Sequence, residues 1–130
     1  MKPSLSPHIK HLRDIHEIIA GDQCYLKEIF HPERDQAEIN FSLAWAYINA
    51  GGQTLDHYLL QSETYYIIKG KGIMTIDDQS FEVEPGLSYL VPPESHQSMK
   101  NTGGEVLEFL VIVAPPWNKE SEFITFPDRK

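Results

Sequence analysis

The chain has 130 residues, 41% hydrophobic and 23% charged, the size and balance of one ordinary globular domain that can bury a core without disulfides. A formal net charge of −8 repels phosphate backbones and anionic bilayers, so neither nucleic acid nor membrane is an expected partner. Cys24 is the only cysteine, which excludes an internal disulfide and a cysteine-held zinc or iron–sulfur centre and suits a reducing cytoplasm.

No apolar run is long enough to span a bilayer and no basic-then-apolar leader opens the chain, so a cytoplasmic location is expected. In chain order, PHIKHLRDIHEIIAGD spaces Ile9, Leu12, Ile15 and Ile19 as one short amphipathic helix would, with Gly21 placed to stop it. His8, His11 and His16 lie in or beside it and read as solvated polar residues rather than ligands. From Gln23 onward helical spacing gives way to short segments: QCYLKEIF, INFSLAWAYI, TLDHYLL, ETYYIIK, GIMTID, SFEVE, LSYLVP, HQSMKN and EVLEFLVIVA. Most are β-branched or aromatic and are bounded by Gly, Pro, Asp, Asn or Ser, a spacing that predicts an all-β sandwich or barrel.

Within FSLAWAY, Phe41, Leu43, Trp45 and Tyr47 share one face, while Ser42, Ala44 and Ala46 share the other, where a second layer can approach closely. IDDQSFEVE predicts a tight hairpin turning at Asp77-Asp78-Gln79. The pair Pro115-Pro116 ends the last strand, and Trp117 with the Phe123 to Phe126 segment is expected to anchor the tail over the barrel or a partner subunit. There is no internal repeat or linker. The expected organisation is a single domain over 1–130, with a core at about 39–116, an N-terminal extension 1–38 and a tail 117–130.

The residues that bear chemistry centre on GGQTLDHYLLQSETYYIIKGKG. His57 and Leu59 share one face of their strand, and Glu63, Tyr65 and Ile67 share one face of the next, after a turn at Gln61-Ser62. If those strands are neighbours, an imidazole and a carboxylate point into one cavity, the beginning of a divalent-metal site. Two side chains compete to be a third ligand. Parity favours Gln97, which shares a face with Met99, whereas His96 shares one with Lys100; ligand chemistry favours His96, because imidazole binds metal far better than an amide. A bulge after Pro92-Pro93 would reverse the parity, so both stand as candidates.

These spacings resemble the cupins, small jelly-roll barrels of the double-stranded β-helix kind. Their first signature places Gly, five residues, His-x-His, three or four residues, Glu, six residues and Gly in order. Here Gly51, His57, Glu63 and Gly70 fall into register and Leu59 stands where the second histidine would be. Of the second signature, Gly86, Pro92 and Asn101 match, Glu94 replaces a glycine, and Gln97 holds the histidine slot with His96 one residue early. The resemblance implies a ligand set of His57, Glu63 and either Gln97 or His96 around a divalent ion such as zinc, manganese, iron or nickel, depleted relative to the family pattern. It also implies a homodimer built by packing or exchanging edge strands, with Gln23 to Phe30 the candidate for exchange.

The expected function is small-molecule binding in the barrel, with metal-assisted or acid–base chemistry of the isomerase, cyclase or lyase type. Glu63 and His57 are the expected catalytic groups, and Leu59, Tyr65, Met99 and Trp45 the expected pocket residues. Two alternatives accompany it: a non-catalytic module that binds a sugar or organic acid, and an iron- or manganese-dependent dioxygenase.

Overall fold

The alternation of small and large side chains along residues 42–48 sets the pattern of the molecule. In the computed structural model, which describes residues 7–125, β3 (Ser42–Ile48) buries Ser42, Ala44, Ala46 and Ile48 and turns Leu43, Trp45 and Tyr47 outward. It pairs on one side with β2 (Tyr25–Phe30), which in turn pairs with the two-residue β1 (Ile18–Ile19). On its other side lies β10 (Leu107–Ala114), followed by β5 (Ser62–Lys69) and β8 (Ser88–Val91), to complete a six-stranded sheet.

A second, five-stranded sheet faces it. Its order is β11 (Glu122–Ile124), β4 (His57–Leu59), β9 (Gln97–Asn101), β6 (Gly72–Ile76) and β7 (Gln79–Val83). All the pairings are antiparallel, and the two inner faces enclose the core of a β-barrel, as expected. Ile67, Met74, Val83, Val91 and Leu107 are fully buried between the sheets, each of the larger ones stabilising the fold by about 1.5–3 kcal/mol.

The turns follow the sequence closely. The hairpin between β6 and β7 reverses at Asp77-Asp78, and Asp77 takes a left-handed φ of +54° while its carboxylate accepts the His96 backbone N–H at 2.9 Å. Gly70 leaves β5 at φ +93°, and a Cβ there would stand 2.4 Å from the Val106 carbonyl oxygen, so only glycine fits. Asn101 is buried; its amide N–H groups donate to the carbonyls of Ile48 and Glu105, and its oxygen accepts from Gly103 N–H, which pins the β9–β10 turn.

The N-terminal segment differs from expectation. Instead of an amphipathic helix there is one 3-10 turn, Leu12–Asp14, followed by the extended β1. Ile9 and Ile19 stay largely in solvent, so the helical spacing has no apolar surface to pack on and pairing with β2 wins. The only α-helix among the described residues is the single turn α1 (Pro32–Asp35), capped by His31, whose Nε2–H donates to the Trp117 carbonyl at 2.7 Å. That bond ties the tail to the barrel. No helix among the described residues is long and apolar enough to cross a membrane.

Candidate functional site

Between the sheets lies a cavity of about 460 Å³. Its walls are mostly hydrocarbon, from Leu59 on β4, Ala44 and Ala46 on β3, and Phe109, Val111 and Val113 on β10. Small residues on β3 make the room, because a larger side chain at 44 or 46 would fill it. Five acidic or basic groups line the same space: His57, Glu63, Asp22 and, from the tail, Lys119 and Glu122.

His57 and Glu63 do face one interior, but not from neighbouring strands. β4 belongs to the five-stranded sheet and β5 to the six-stranded one, so the chain crosses the barrel between them. Gln61 anchors that crossing: it is buried, and its Nε2–H donates to Pro116 O at 3.0 Å and Ser121 Oγ at 2.7 Å. The two residues therefore view each other across the barrel rather than along a sheet. His57 is only 3% exposed. Its Nδ1 lies 2.8 Å from Leu55 O and must be the donor there, since a carbonyl has no proton to give. That leaves Nε2 for exchange, and it stands 3.5 Å from Asp22 Oδ2.

Gln97, not His96, turns inward. It is opposite His57 on β9, is 1% exposed, and spans the interior with both ends of its amide. Its Nε2–H donates to Glu63 Oε1 at 2.5 Å, and its Oε1 accepts the Tyr65 hydroxyl at 2.6 Å. The Tyr65 hydroxyl also lies 3.5 Å from Glu63 Oε2. His96 sits on the outer face with its side chain 45% exposed, 3.4 Å from Asp56 and with its ring tilted against Tyr58.

Burial pushes the Glu63 carboxyl up to about 7, partly offset by the His57 charge and the Gln97 hydrogen bond, and reinforced by Asp22 and Glu122. Glu122 is also raised, by burial and then by Asp22, while the Trp117 indole N–H donates to it at 3.3 Å. The Tyr65 hydroxyl is held far above its ordinary range by burial and by Glu63, so it acts as a neutral hydrogen-bond donor.

The residues present do not fit a divalent metal. Leu59 offers hydrocarbon, the Gln97 oxygen is taken by Tyr65, and the Gln97 end facing Glu63 is a donor without a lone pair. Among the described residues, no three His, Cys, Asp or Glu side chains converge to hold one.

Of the expected pocket residues, Leu59 and Tyr65 line the cavity. Met99 is buried in the core beside it, taking the Tyr89 hydroxyl on its sulfur at 3.4 Å. Trp45 does not reach it. It lies on the outer face of β3, where its indole N–H donates to Glu108 at 2.7 Å beneath the Lys27 ammonium, because the small residues of FSLAWAY are the inward ones. Asp22 and Glu122 are the residues that sequence reasoning misses. One follows Gly21 in a turn, and the other sits in a charged tail. Up to residue 125 the tail packs on the barrel: β11 pairs with β4, Trp117 and Ile124 line the cavity, and Phe123 stacks on Tyr58. Phe126 lies outside the described residues.

Comparison with known proteins places this geometry. Residues 44–113 match the family described as a cupin domain. An uncharacterized protein of Methanocaldococcus jannaschii is 34% identical over 103 residues, covering 78% of this chain and 82% of that one. A glucose-6-phosphate isomerase of Thermococcus gammatolerans is 29% identical over 133 residues, covering 85% of this chain and 70% of its own. Among solved structures, the polyketide cyclase RemF of Streptomyces resistomycificus superposes with a TM-score of 0.79 at 18% identity, over 95% of this chain and 88% of that one. At that identity the likeness concerns the fold alone.

Proposed function

Since the chain belongs to the cupin-domain family, we propose that it binds a small organic molecule in the barrel cavity and performs acid–base, non-redox chemistry on it, of the isomerase, cyclase or lyase kind. The observation that carries this reading is Glu63: a buried carboxyl on an apolar cavity, held near pH 7 between its two protonation states. A group so poised can both take and return a proton at neutral pH, which is what enolisation, ring closure or elimination requires.

The rest of the site supports that role. Gln97 and Tyr65 hold the carboxyl by a hydrogen-bonded chain that fixes its orientation while its second oxygen stays within reach of the cavity. His57 stands on the opposite sheet with its Nε2 3.5 Å from Asp22, a second proton-transfer pair on another wall. Proton removal on one side and delivery on the other moves a double bond without net oxidation. A relative that bears the name of an isomerase agrees with this class. The arrangement of donors disfavours the dioxygenase alternative, and no step here is drawn through a metal.

A second reading, a non-catalytic binding module, is favoured by one observation: Gln97 and Tyr65 spend their polar ends on each other and on Glu63. The two readings separate in one experiment. Thermal-shift screening of small carbonyl and hydroxyl compounds identifies ligands, and turnover of each hit is followed by NMR. Turnover that falls at least about a hundredfold in Glu63→Gln supports the enzyme. Turnover retained in that variant overturns the role of Glu63, and binding without turnover leaves the module. We propose further that the protein is cytoplasmic and homodimeric. The single buried Cys24 supports the first, and the exposed side chains of Tyr66, Leu90 and Ile112 on one outer sheet face support pairing of that face with a second copy.

A further inference from the structure

The charges around the cavity are lopsided. Asp22, Glu63 and Glu122 all line it, from the turn before β2, from β5 and from β11 respectively. Opposing them among the described lining residues are His57, already 3.5 Å from Asp22, and Lys119, which lies on the exposed tail turn. No arginine among the described residues lines the space. The other described side chains on it are hydrocarbon, aromatic, hydroxyl or, at Cys24, thiol.

We infer that Asp22 and Glu122 make this cavity selective by charge, so that it takes an apolar molecule bearing no phosphate, carboxylate or sulfonate group and turns anions away. This rests on the reading of the cavity as the ligand site. The physical reason is that an anion entering an apolar space loses its hydration and meets like charge, with only the solvated ammonium of Lys119 and the Asp22-bound His57 to compensate. The carboxyls already feel one another: Asp22 raises both Glu63 and Glu122. A sugar phosphate is therefore a poor substrate, although one similar protein bears the name of a sugar-phosphate isomerase. The Glu122 carboxylate lies close against the backbone of Gly21, whose Cβ, if present, would stand 3.0 Å from it, so Asp22 and Glu122 stand side by side on one wall of the cavity.

Two fluorescent probes of one skeleton test this. N-phenyl-1-naphthylamine is uncharged, and 1-anilinonaphthalene-8-sulfonate adds a single sulfonate. Both are titrated into the wild-type protein and into Ala44→Phe, which fills the cavity. The expected result is Ala44→Phe-sensitive binding of the neutral probe, with the sulfonate at least about tenfold weaker. Glu122→Gln and, separately, Asp22→Asn each improve the sulfonate about three- to tenfold and change the neutral probe less than about twofold. Glu122 is partly exposed, so its variant folds even if the buried Asp22 variant does not. Equal, cavity-dependent affinity for both probes would overturn the charge selectivity and leave the cavity as ligand site. Binding of neither probe in an Ala44→Phe-sensitive way would overturn the cavity reading, and the selectivity with it.

Discussion

The side-chain amide of Gln97 donates to the carboxyl of Glu63 across the interior, joining β9 of one sheet to β5 of the other. Both residues are buried, so the bond is shielded from water and neither group has solvent to fall back on.

Gln97→Leu keeps the volume and removes both ends of that link. It leaves Glu63 Oε1 and the Tyr65 hydroxyl short of partners, at a cost of at least about 2 kcal/mol in urea unfolding. The Glu63 carboxyl then titrates higher still, because the Gln97 hydrogen bond is one of the influences holding it down. Carbon-13 NMR of the labelled carboxyl reads the change; a downward move would contradict the assignment.

Stability should fall as pH rises from about 4.5 to about 7. The folded Glu63 holds its proton up to about 7, whereas the ordinary glutamate value is 4.5. Over that window the native state binds more protons than the unfolded one, so unfolding becomes easier as pH rises. A shift of this size corresponds to about 3 kcal/mol, fully present as stabilisation below pH 4.5 and lost above pH 7. Asp35, lowered to about 2 by Lys10, the His31 backbone and Arg34, works oppositely but only at more acidic pH. Urea melts at pH 5 and pH 8 should therefore show a wild-type loss that Glu63→Gln does not share.

Much of this was legible beforehand, for reasons that particular residues make plain. Strand periodicity places His57, Glu63 and Gln97 on buried faces, and the glycines at 51, 70 and 86 all adopt positive φ where turns require it. Periodicity does not say which face is inward when one side is large and the other small, so Trp45, expected in the pocket, lies on the outer side of β3. Nor does it tell whether consecutive strands pair or cross between sheets, which is why His57 and Glu63 meet across the barrel. Asp22 and Glu122 carry no local signal. Only long-range folding, through β1 on one side and β11 on the other, brings two solvated-looking acids to one cavity wall.

The pattern of the barrel family suggests its own test. Leu59→His with Gln97→His places imidazoles where the family signatures have them, on the same inner face as His57 and Glu63. The double variant should co-purify with close to one divalent ion per chain, measured by elemental analysis. The wild type should carry only trace amounts, with a melting temperature that a chelator leaves unchanged. A stoichiometric ion in the wild type would overturn the ligand argument.

Glu94 occupies a backbone position of φ +67°, where the family signature has glycine. The left-handed conformation is unfavourable for a residue with a Cβ, and the Glu94 side chain is exposed and leaves no cavity when removed. Glu94→Gly is expected to stabilise by about 0.5–1 kcal/mol, the relief of strain exceeding the extra freedom of glycine in the unfolded chain. Differential scanning calorimetry should register a rise of about 2–5 °C. A fall would mean that the turn is unstrained.

Light scattering after size exclusion is expected to give twice the chain mass of 14.9 kDa. Leu90→Glu with Tyr66→Glu should return it to a single copy if the outer face of the six-stranded sheet pairs with itself. A monomeric wild type at micromolar concentration would remove the dimer from the proposal.

The matched segment runs from 44 to 113 and holds His57 and Glu63, whereas Asp22 and Glu122 lie before and after it. On the proposed reading, the groups that would carry the chemistry and those that would sort ligands by charge therefore sit on separate stretches of polypeptide. A library confined to residues 18–22 and 117–124 is then the economical route to altering preference in the laboratory.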